Sequence, residues 1–515
     1  MTDSQKKCIK CGAEILASDE FCMYCGSKQA ETNPALPIHQ QKSHSSKKLV
    51  ILLVIALVIV SAGLGFVLLN GSQLFRGQDV DSPSMEAEER EEKDAADASA
   101  TEAPWAEAGE PTQDSVYDEP GSVYWLNDQP AYDETLQQLA AMYSAETGNS
   151  VTVVTASYGT YEQVLSSELK SANAPTLFSV GDRSTAKKWE DYCLDLGRAP
   201  VAKEMLDDSF GIYDSTYKLN AIGFNYECFG IIVNKKLLGR AGYPRDYITD
   251  YATLKEVAED VHSRAAELGF DAFAANGLNP SCSWRYTGHL VNLVYYWEAV
   301  GDPQMWFSCP PFIWGFHMDN YRQLYDLIVN NSSADRVSLA KGNFDPLREF
   351  SDEEALFYLG GNWDWDYLQS MGLKAKDLVM IPYYSGVRGE ENVGLSADAY
   401  SYWSVNANAS EADRQATLEF LHWMVTDPEA SRIAVAGFGA MPFRNVAAPS
   451  NPFLAQAAAY IEQGRESMWW AMIYQPDVDK YRAGMVKALT EYNVNPTDEN
   501  WNEVVGAVVG GWENQ

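Results

Sequence analysis

Three short apolar segments decide the fold class: residues 123–126 read VYWL, residues 150–155 read SVTVVT, and residues 176–180 read TLFSV. Each is rich in β-branched or aromatic residues and has the length of a buried strand. Helices are predicted over residues 131–147 and 161–172, and a third is predicted to run through Trp189. Strands that alternate with helices indicate a parallel sheet with helices on both faces, which is an α/β fold.

Polar or aromatic residues follow each of these predicted strands. Asn127 and Asp128 follow the first, Tyr158 follows the second, and Asp182 and Arg183 follow the third. Ligands of such sheets bind at the carboxyl ends of the strands, so we expect these five side chains to converge on a binding site. For an Asp in such a position, a helix-capping role is the alternative.

The order and spacing of further motifs resemble the extracellular solute-binding proteins of ABC importers, in particular the carbohydrate-binding group that includes maltose-binding protein. The resemblance covers residues 120–515. The motifs are ETG at 146–148, VTVV at 151–154, APTLFSVGDR at 174–183, YE at 226–227 before GIIVNK at 230–235, ALFY at 355–358 before GNW at 361–363, DPEA at 427–430 and AMP at 440–442.

This resemblance implies a two-lobed, periplasmic-binding-protein-like (type II) domain whose lobes are joined by crossovers and close on a ligand. Lobe 1 is expected at about 120–228 and 398–438, and lobe 2 at about 229–397 and 439–515. The implied function is to bind a carbohydrate between the lobes and deliver it to ABC permease subunits, with no catalysis and no cofactor in the binding domain.

Carried over residue by residue, the resemblance places Asp128, Asp182, Arg183 and Glu227 at polar contacts with sugar hydroxyls, and Trp363 at a stacking position. Carboxylate and guanidinium groups suit vicinal hydroxyls, and an indole suits the C–H face of a sugar. The chain departs from maltose-binding protein at Asp364 and in the loop SCSW at 281–284, which leaves the sugar open. The candidate substrate-binding residues are Asn127, Asp128, Tyr158, Asp182, Arg183, Glu227, Trp284, Trp363, Trp365, Tyr400 and Trp469.

Two other functions share parts of this pattern. A glycan-degrading enzyme needs two carboxylates about 5 to 10 Å apart, and 72 acidic residues supply such pairs by chance. A sugar-sensing or adhesion module would share the fold but lack a transport partner. For Trp365, Tyr400, Trp469 and Trp470, the sequence leaves packing and ligand stacking equally open.

Residues 49–69, LVILLVIALVIVSAGLGFVLL, are uncharged and long enough to cross a bilayer as one helix of roughly 30 Å. Lys42, Lys47 and Lys48 precede this segment and acidic sequence follows it, so the N-terminus is expected in the cytoplasm and the large domain outside the cell membrane. A cleaved signal peptide would lie nearer the N-terminus, and a core helix would rarely be apolar on every face.

The N-terminal segment, residues 1–30, contains two Cys-x-x-Cys pairs, Cys8 with Cys11 and Cys22 with Cys25. Four thiolates at this spacing predict a structural zinc site, and the segment resembles the small zinc-ribbon domain. Disulfides are the alternative, but the cytoplasm is reducing. A linker at 31–48 joins the ribbon to the span, and residues 70–119, rich in Asp and Glu, are expected to form a disordered tether.

Charge and cysteine content restrict the partners further. The formal net charge of −34 argues against nucleic acid as a partner, because a phosphate binder needs a basic face. The four outer cysteines are Cys193, Cys228, Cys282 and Cys309. Free buried thiols are the preferred interpretation for them, and Cys282 with Cys309 is the most plausible pair if a disulfide forms.

Overall fold

A computed structural model describes residues 5–7, 14–16, 121–157, 159–399 and 401–513. The predicted span at 49–69, the linker, the acidic tether, the four N-terminal cysteines, Tyr158 and Tyr400 lie outside these residues. Within the described ranges, no helix combines the length and the hydrophobicity that a bilayer crossing requires.

Fourteen strands are described within these residues. They are β1 (Gln5–Lys7), β2 (Glu14–Leu16), β3 (Val123–Asn127), β4 (Val151–Thr155), β5 (Leu177–Gly181), β6 (Gly211–Tyr213), β7 (Leu219–Gly223), β8 (Glu227–Asn234), β9 (Asp271–Phe273), β10 (Ala355–Gly361), β11 (Leu378–Ile381), β12 (Val393–Asp398), β13 (Tyr402–Val405) and β14 (Glu466–Met468). The strands β1 and β2 pair with each other as an antiparallel hairpin, and the other twelve form two sheets.

The α-helices lie between these strands and after the last of them. They are α1 (Asp133–Thr147), α2 (Tyr161–Glu168), α3 (Pro200–Lys203), α4 (Lys235–Ala241), α5 (Tyr251–Ser263), α6 (Ala265–Leu268), α7 (Asn292–Gly301), α8 (Met318–Asn330), α9 (Arg336–Lys341), α10 (Pro346–Ser351), α11 (Trp365–Ser370), α12 (Glu411–Thr426), α13 (Pro428–Phe438), α14 (Pro452–Glu462), α15 (Val478–Val494), α16 (Asp498–Val505) and α17 (Gly511–Glu513). A π-helix at Arg285–Leu290 runs directly into α7, and the predicted helix through Trp189 is a 3-10 helix, Ala186–Tyr192.

The sheet of lobe 1 has the strand order β4-β3-β5-β13-β7-β6. The three strands predicted from their apolar segments, β3, β4 and β5, are parallel as expected. The strand β13 is antiparallel to both β5 and β7, and β6 is antiparallel to β7. The parallel prediction thus fails for this half of the sheet, because β13 enters from the other lobe and no crossover helix turns it round.

The sheet of lobe 2 is built around its longest strand, β8. The order is β14-β12-β8-β10-β9, and β11 also pairs with β8. β8 is antiparallel to β10, β11 and β12. Phe229, Ile231 and Val233 alternate along β8 and are buried against the helices of lobe 2. Cys228 and Ile232 face the opposite way, into a core that continues into lobe 1.

Three crossovers join the lobes. The first lies between β7 and β8, and the second lies between β12 and β13. The predicted boundary at 228/229 falls inside β8, which begins at Glu227. Pro442 O accepts from Leu206 N (2.9 Å), and Arg444 N donates to Glu204 O (2.8 Å), so this stretch still belongs to lobe 1. The third crossover therefore follows residue 444, later than the predicted 438/439.

The four outer cysteines are free thiols in the structure. The suggested pairing of Cys282 with Cys309 is not formed, because each sulfur faces a different carbonyl. Cys282 Sγ donates to Phe344 O (3.3 Å), and Cys309 Sγ lies 3.5 Å from Tyr474 O. Cys193, Cys228 and Cys282 are buried, as preferred, whereas Cys309 is exposed.

Candidate functional site

Asn127, the last residue of β3, is 1% exposed and uses its amide inside the protein. Its Nδ2 donates to Gln129 O (2.8 Å) and to Thr155 Oγ1 (3.0 Å), and its Oδ1 accepts from Gln129 N (3.0 Å). These bonds close the turn after β3 and tie it to the end of β4. The side-chain amide of Asn127 therefore holds the ends of β3 and β4 together.

Asp128 connects the end of β3 to the second crossover. Its carboxylate accepts from Ser179 Oγ on β5 (2.8 Å) and from Ser401 Oγ between β12 and β13 (3.1 Å). Burial raises the pKa of Asp128, and the two hydroxyl donors offset part of that rise. Asp128 thus lies at the junction of the lobes, at the carboxyl edge of the first sheet.

Asp182 caps the turn that follows β5. Gly181 precedes it with φ +79°, and a Cβ at Gly181 would lie 2.3 Å from Thr185 Oγ1, so this tight turn requires glycine. Asp182 Oδ1 accepts from Ser184 N (2.9 Å), Ser184 Oγ (2.6 Å) and Thr185 N (3.2 Å). Asp182 Oδ1 therefore has the capping role that the sequence left open.

Arg183 is held entirely by protein acceptors in lobe 1 and at the second crossover. Its Nε lies 3.1 Å from Asp398 Oδ2, its Nη1 donates to Gly211 O (3.1 Å), and its Nη2 donates to Ser209 O. The guanidinium carbon lies 5.1 Å from the ring centre of Tyr402 and 5.0 Å from that of Trp469. Burial alone would lower the pKa of Arg183, but Asp398, Tyr402 and Tyr474 together outweigh burial, and the pKa is raised.

Asp398, the last residue of β12, accepts hydrogen bonds from donors in both lobes. It is 1% exposed. Besides Arg183, it accepts from Ala399 N (2.8 Å), Trp470 N (2.9 Å) and the hydroxyl of Tyr402. Arg183 thus forms an internal ion pair with Asp398, and Trp469 packs beside that pair. The sugar contact expected of Arg183 stays a prediction.

Glu227 differs from these acids because its carboxylate has no partner among the described residues. It is the first residue of β8 and lies opposite Asp398 in the ladder with β12. Strand alternation puts its side chain on the same face as that of Phe229. It is partly buried, and the described residues provide it with no hydrogen bond or ion pair. Burial raises the pKa of Glu227 to about 7.

Trp363 lies against this same face. Its ring folds back over β10, where a Cβ at Gly361 would lie 2.4 Å from the indole, so this close approach requires glycine. Gly361 is the ladder partner of Phe229, and the Trp363 ring lies 5.9 Å from the Phe229 ring at 29°. The indole remains partly exposed, as a ligand-stacking residue requires.

Several more rings surround Phe229. His289 stacks on it at 4.2 Å and 12°, and Trp284 lies 5.8 Å from it and 6.1 Å from Trp363. Burial lowers the pKa of His289, so its ring is neutral. We call this set the Phe229 cluster; its members are Phe229, Trp284, His289, Trp363, Tyr383 and Trp470.

Two ring nitrogens in the Phe229 cluster are buried without a partner among the described residues: His289 Nδ1 and Trp470 Nε1. Buried polar atoms are paired in most native proteins, and an unpaired one costs on the order of 1–3 kcal/mol. Similar unpaired atoms occur in the core, for example Trp125 Nε1, so these two nitrogens are available to a bound molecule but do not by themselves mark a site.

A buried network fixes the turn that carries Trp363. Arg285 Nη2 donates to the hydroxyl of Tyr358 (2.6 Å), which donates to Asp364 Oδ2 (3.0 Å). Asp364 also accepts from Gly361 N (3.1 Å). The Arg285 guanidinium packs 4.3 Å from the ring centre of Trp284. Asp364, at which the chain departs from maltose-binding protein, therefore faces inward and positions the two tryptophans.

The structure thus separates the predicted residues into groups. Glu227, Trp284 and Trp363 lie together on one face of the lobe 2 sheet, whereas Asn127, Asp128, Asp182, Arg183 and Trp469 build the strand ends and the junction of the lobes. Trp365 is 7% exposed and packs on Phe453 in the core (6.0 Å), away from the Phe229 cluster. Tyr158 and Tyr400 lie outside the described residues.

The sequence reasoning missed Phe229, His289 and Asp398. A signal for Phe229 was available, because strand alternation from Glu227 leads directly to it. His289 carried no such signal, since a single His in an apolar segment is more often structural. Across the described part of the chain, no three His, Cys, Asp or Glu side chains are grouped to hold a metal ion.

Two parts of the chain match known families. Residues 138–461 match the family described as bacterial extracellular solute-binding protein, and residues 7–29 match the zinc-ribbon domain. No curated protein sequence gives a significant match.

Solved structures share the fold at low sequence identity. They include a family 1 extracellular solute-binding protein from Bifidobacterium longum subsp. infantis (14% identity, TM-score 0.58, covering 77% of this chain and 100% of that one). Apo RafE from Streptococcus pneumoniae matches at 15% identity and TM-score 0.54, over 76% of this chain and 98% of that one. A cyclic alpha-maltosyl-1,6-maltose binding protein from Arthrobacter globiformis matches at 16% identity and TM-score 0.51, over 77% of this chain and 100% of that one. These likenesses confirm the expected two-lobed fold, and the family match covers well over half of the chain. The chain belongs to the family of bacterial extracellular solute-binding proteins.

Proposed function

We propose that this protein is a membrane-tethered receptor that binds a carbohydrate at the Phe229 cluster and delivers it to the permease of an ABC importer. The observation that carries the proposal is that two partly exposed indoles, Trp284 and Trp363, border the sheet face that also carries Glu227, whose carboxylate has no partner among the described residues. Indole faces stack on the C–H faces of sugars, and a carboxylate accepts hydrogen bonds from hydroxyl groups.

The comparisons support a carbohydrate as the ligand. One structural neighbour, from Arthrobacter globiformis, is named for binding cyclic alpha-maltosyl-1,6-maltose. The family description, bacterial extracellular solute-binding protein, is consistent with a receptor that works outside the cell, and delivery to a membrane permease is part of the proposal. The chemistry of the Phe229 cluster suits such a ligand, which is apolar on its faces and polar at its edges.

The arrangement favours binding over hydrolysis. A glycosidase needs two available carboxylates, one on each side of the bond that is cleaved. Opposite Glu227, the nearest carboxylate along the ladder is Asp398, and it is occupied by Arg183, Ala399 N and Trp470 N. We therefore propose that the protein returns the sugar unchanged.

The tether and the ribbon complete the proposal. The apolar segment 49–69 would anchor the receptor in the cell membrane, with residues 70–119 as a spacer outside and the N-terminus in the cytoplasm. In the sequence, Cys8 and Cys11 fall between β1 and β2, which pair as antiparallel strands. With Cys22 and Cys25, they would hold a structural zinc ion.

Calorimetric titration of residues 120–515 with a panel of neutral mono- and oligosaccharides tests the binding proposal. We expect saturable binding of at least one sugar and recovery of that sugar intact by chromatography. Cleaved sugar would favour the enzyme, and a panel without any binding would refute a carbohydrate ligand.

Transport needs a separate test in cells. Cells that lack this chain should lose uptake of the labelled sugar that the titration identifies. A sensor or adhesion module would leave that uptake unchanged.

A further inference from the structure

The charges near Glu227 do not balance. Asp398, its neighbour across the ladder, is paired with Arg183. Asp364, behind Trp363, is linked to Arg285 through the hydroxyl of Tyr358. Each of these two arginines therefore already has its acid, and within the described part of the chain neither of them compensates the carboxyl group of Glu227.

No other cation among the described residues takes up that role. The His289 ring is neutral, because burial lowers its pKa. Arg482 packs against the π-helix at Gly288, where an added Cβ would lie 3.0 Å from its guanidinium, and its Nε donates to Gln475 Oε1 (2.7 Å). Burial by itself, without a neighbouring charge, accounts for the raised pKa of Glu227.

The rings beside Glu227 are suited to a cation as well as to a sugar face. Phe229 is two residues along the same face, and the partly exposed rings of Trp363 and Trp284 lie 5.9 and 5.8 Å from it. Aromatic faces attract cations, and tryptophan does so most strongly. A carboxylate withdrawn from water without an opposite charge tends to take up a proton, as the raised pKa of Glu227 shows, and a bound cation would stabilise its ionised form.

We infer that the solute is a sugar bearing a protonated amino group, and that this group binds between the Glu227 carboxylate and the indoles of Trp363 and Trp284. The inference rests on the proposed function and adds to it the chemical class of the sugar. The net charge of −34 favours the approach of a cationic solute over an anionic one.

Three disaccharides with the same linkage test this inference on the full-length chain in detergent: one of two glucosamines, its N-acetylated counterpart, and cellobiose. They differ only at the same position of each of the two rings, which carries an ammonium, an acetamide or a hydroxyl group. At about pH 7, where Glu227 is partly ionised, we expect the glucosamine disaccharide to bind about tenfold tighter or more, as a charged hydrogen bond predicts.

Two variants test whether Glu227 causes the preference for the amino sugar. Glu227→Gln keeps the shape of the side chain and removes its charge, so the preference for the amino sugar should disappear. Asp366→Asn removes one negative charge from an exposed residue of α11 and should leave the preference intact. If Glu227→Gln does not fold, the wild-type protein gives a second test: affinity for the amino sugar should fall as pH drops below about 7, while affinity for cellobiose changes little.

The outcomes are distinguishable. Cellobiose or the acetylated sugar binding as tightly as the amino sugar would overturn the inference and leave the proposed function intact. A preference that survives in Glu227→Gln would also overturn it. Failure of all three sugars to bind, while another sugar of the panel binds, would overturn the inference and leave the proposed function intact; failure of the whole panel would count against both.

Discussion

Arg183 and Asp398, which lie 215 residues apart in the sequence, form an ion pair with Nε 3.1 Å from Oδ2, and the two side chains are 12% and 1% exposed. The pair joins the loop after β5 in lobe 1 to the last residue of β12 in lobe 2. Because Asp398 also accepts from Trp470 N and Ala399 N, one carboxylate fixes both lobes and the second crossover.

Removal of one partner of this pair should be costly. Asp398→Ala leaves the Arg183 guanidinium buried without its acid, which we expect to destabilise the domain by about 3–5 kcal/mol. Replacing both residues, Asp398→Ala with Arg183→Met, should cost less than the two single changes added together. Denaturant unfolding measures all three variants.

The exposed pair Arg432 and Glu429 provides a matched control, since its nitrogen and oxygen lie 2.6 Å apart with 60% and 57% exposure. Glu429→Ala should change stability by less than about 1 kcal/mol. The role given to the buried pair would be contradicted if the double variant lost as much stability as the two single variants added together. It would also be contradicted if Asp398→Ala lost as little stability as Glu429→Ala.

Glu227 should make the stability of the ligand-free protein depend on pH. Its pKa in the folded state is about 7, above its unfolded value, so it favours folding when protonated, and that contribution is lost as pH rises through about 7. Glu227→Gln should therefore be more stable than the wild type at about pH 8, by on the order of 2 kcal/mol, and similar to it at about pH 4. Melting temperatures at both pH values measure the effect; a difference that is constant with pH, or larger in acid, would refute it.

The sequence predicted local features of this fold well. The strands β3, β4 and β5 follow from apolar segments, whereas the stacking role given to Trp363 from the motif at 361–363 stays a prediction. It could not predict that β13 is antiparallel, because that depends on a crossover from the other lobe.

The candidate site was predictable only in part, for a similar reason. Arg183 was expected to contact sugar, but its acid, Asp398, is too distant in sequence for spacing to indicate the pair. Trp365 and Trp363 are two residues apart, and only the packing on Phe453 and on Phe229 shows that the first is core and the second borders the site. Side-chain environment decides such roles, and one sequence does not contain it.

The N-terminal segment should bind zinc. Cys8, Cys11, Cys22 and Cys25 provide four thiolates, and so short a segment has too small a core to fold without metal. Elemental analysis of a peptide of residues 1–30 should find about one zinc per chain, and Cys→Ser changes at all four positions should abolish it. A metal-free peptide that folds equally well would contradict the zinc proposal.

The proposed topology predicts how protease cleaves intact protoplasts. Cleavage in residues 70–119 should release the large domain, while the ribbon stays protected inside and the remnant stays in the membrane fraction. Detergent should then expose the ribbon to the same protease. A mature protein that begins beyond residue 60 would refute the anchor.

The most direct test of the central claim, ligand binding at the Phe229 cluster, compares Trp363→Ala with Trp365→Ala by melting temperature without ligand and by affinity for the sugar identified in the panel. Trp363 is partly exposed beside Phe229, so its loss should cost on the order of 2 kcal/mol of binding, more than about tenfold in Kd, and leave the domain folded. Trp365 is buried against Phe453, so its loss should cost roughly 3–5 kcal/mol of stability and leave the affinity of the folded protein intact. A Trp363→Ala protein that melts far lower but binds the sugar normally when folded would contradict the account.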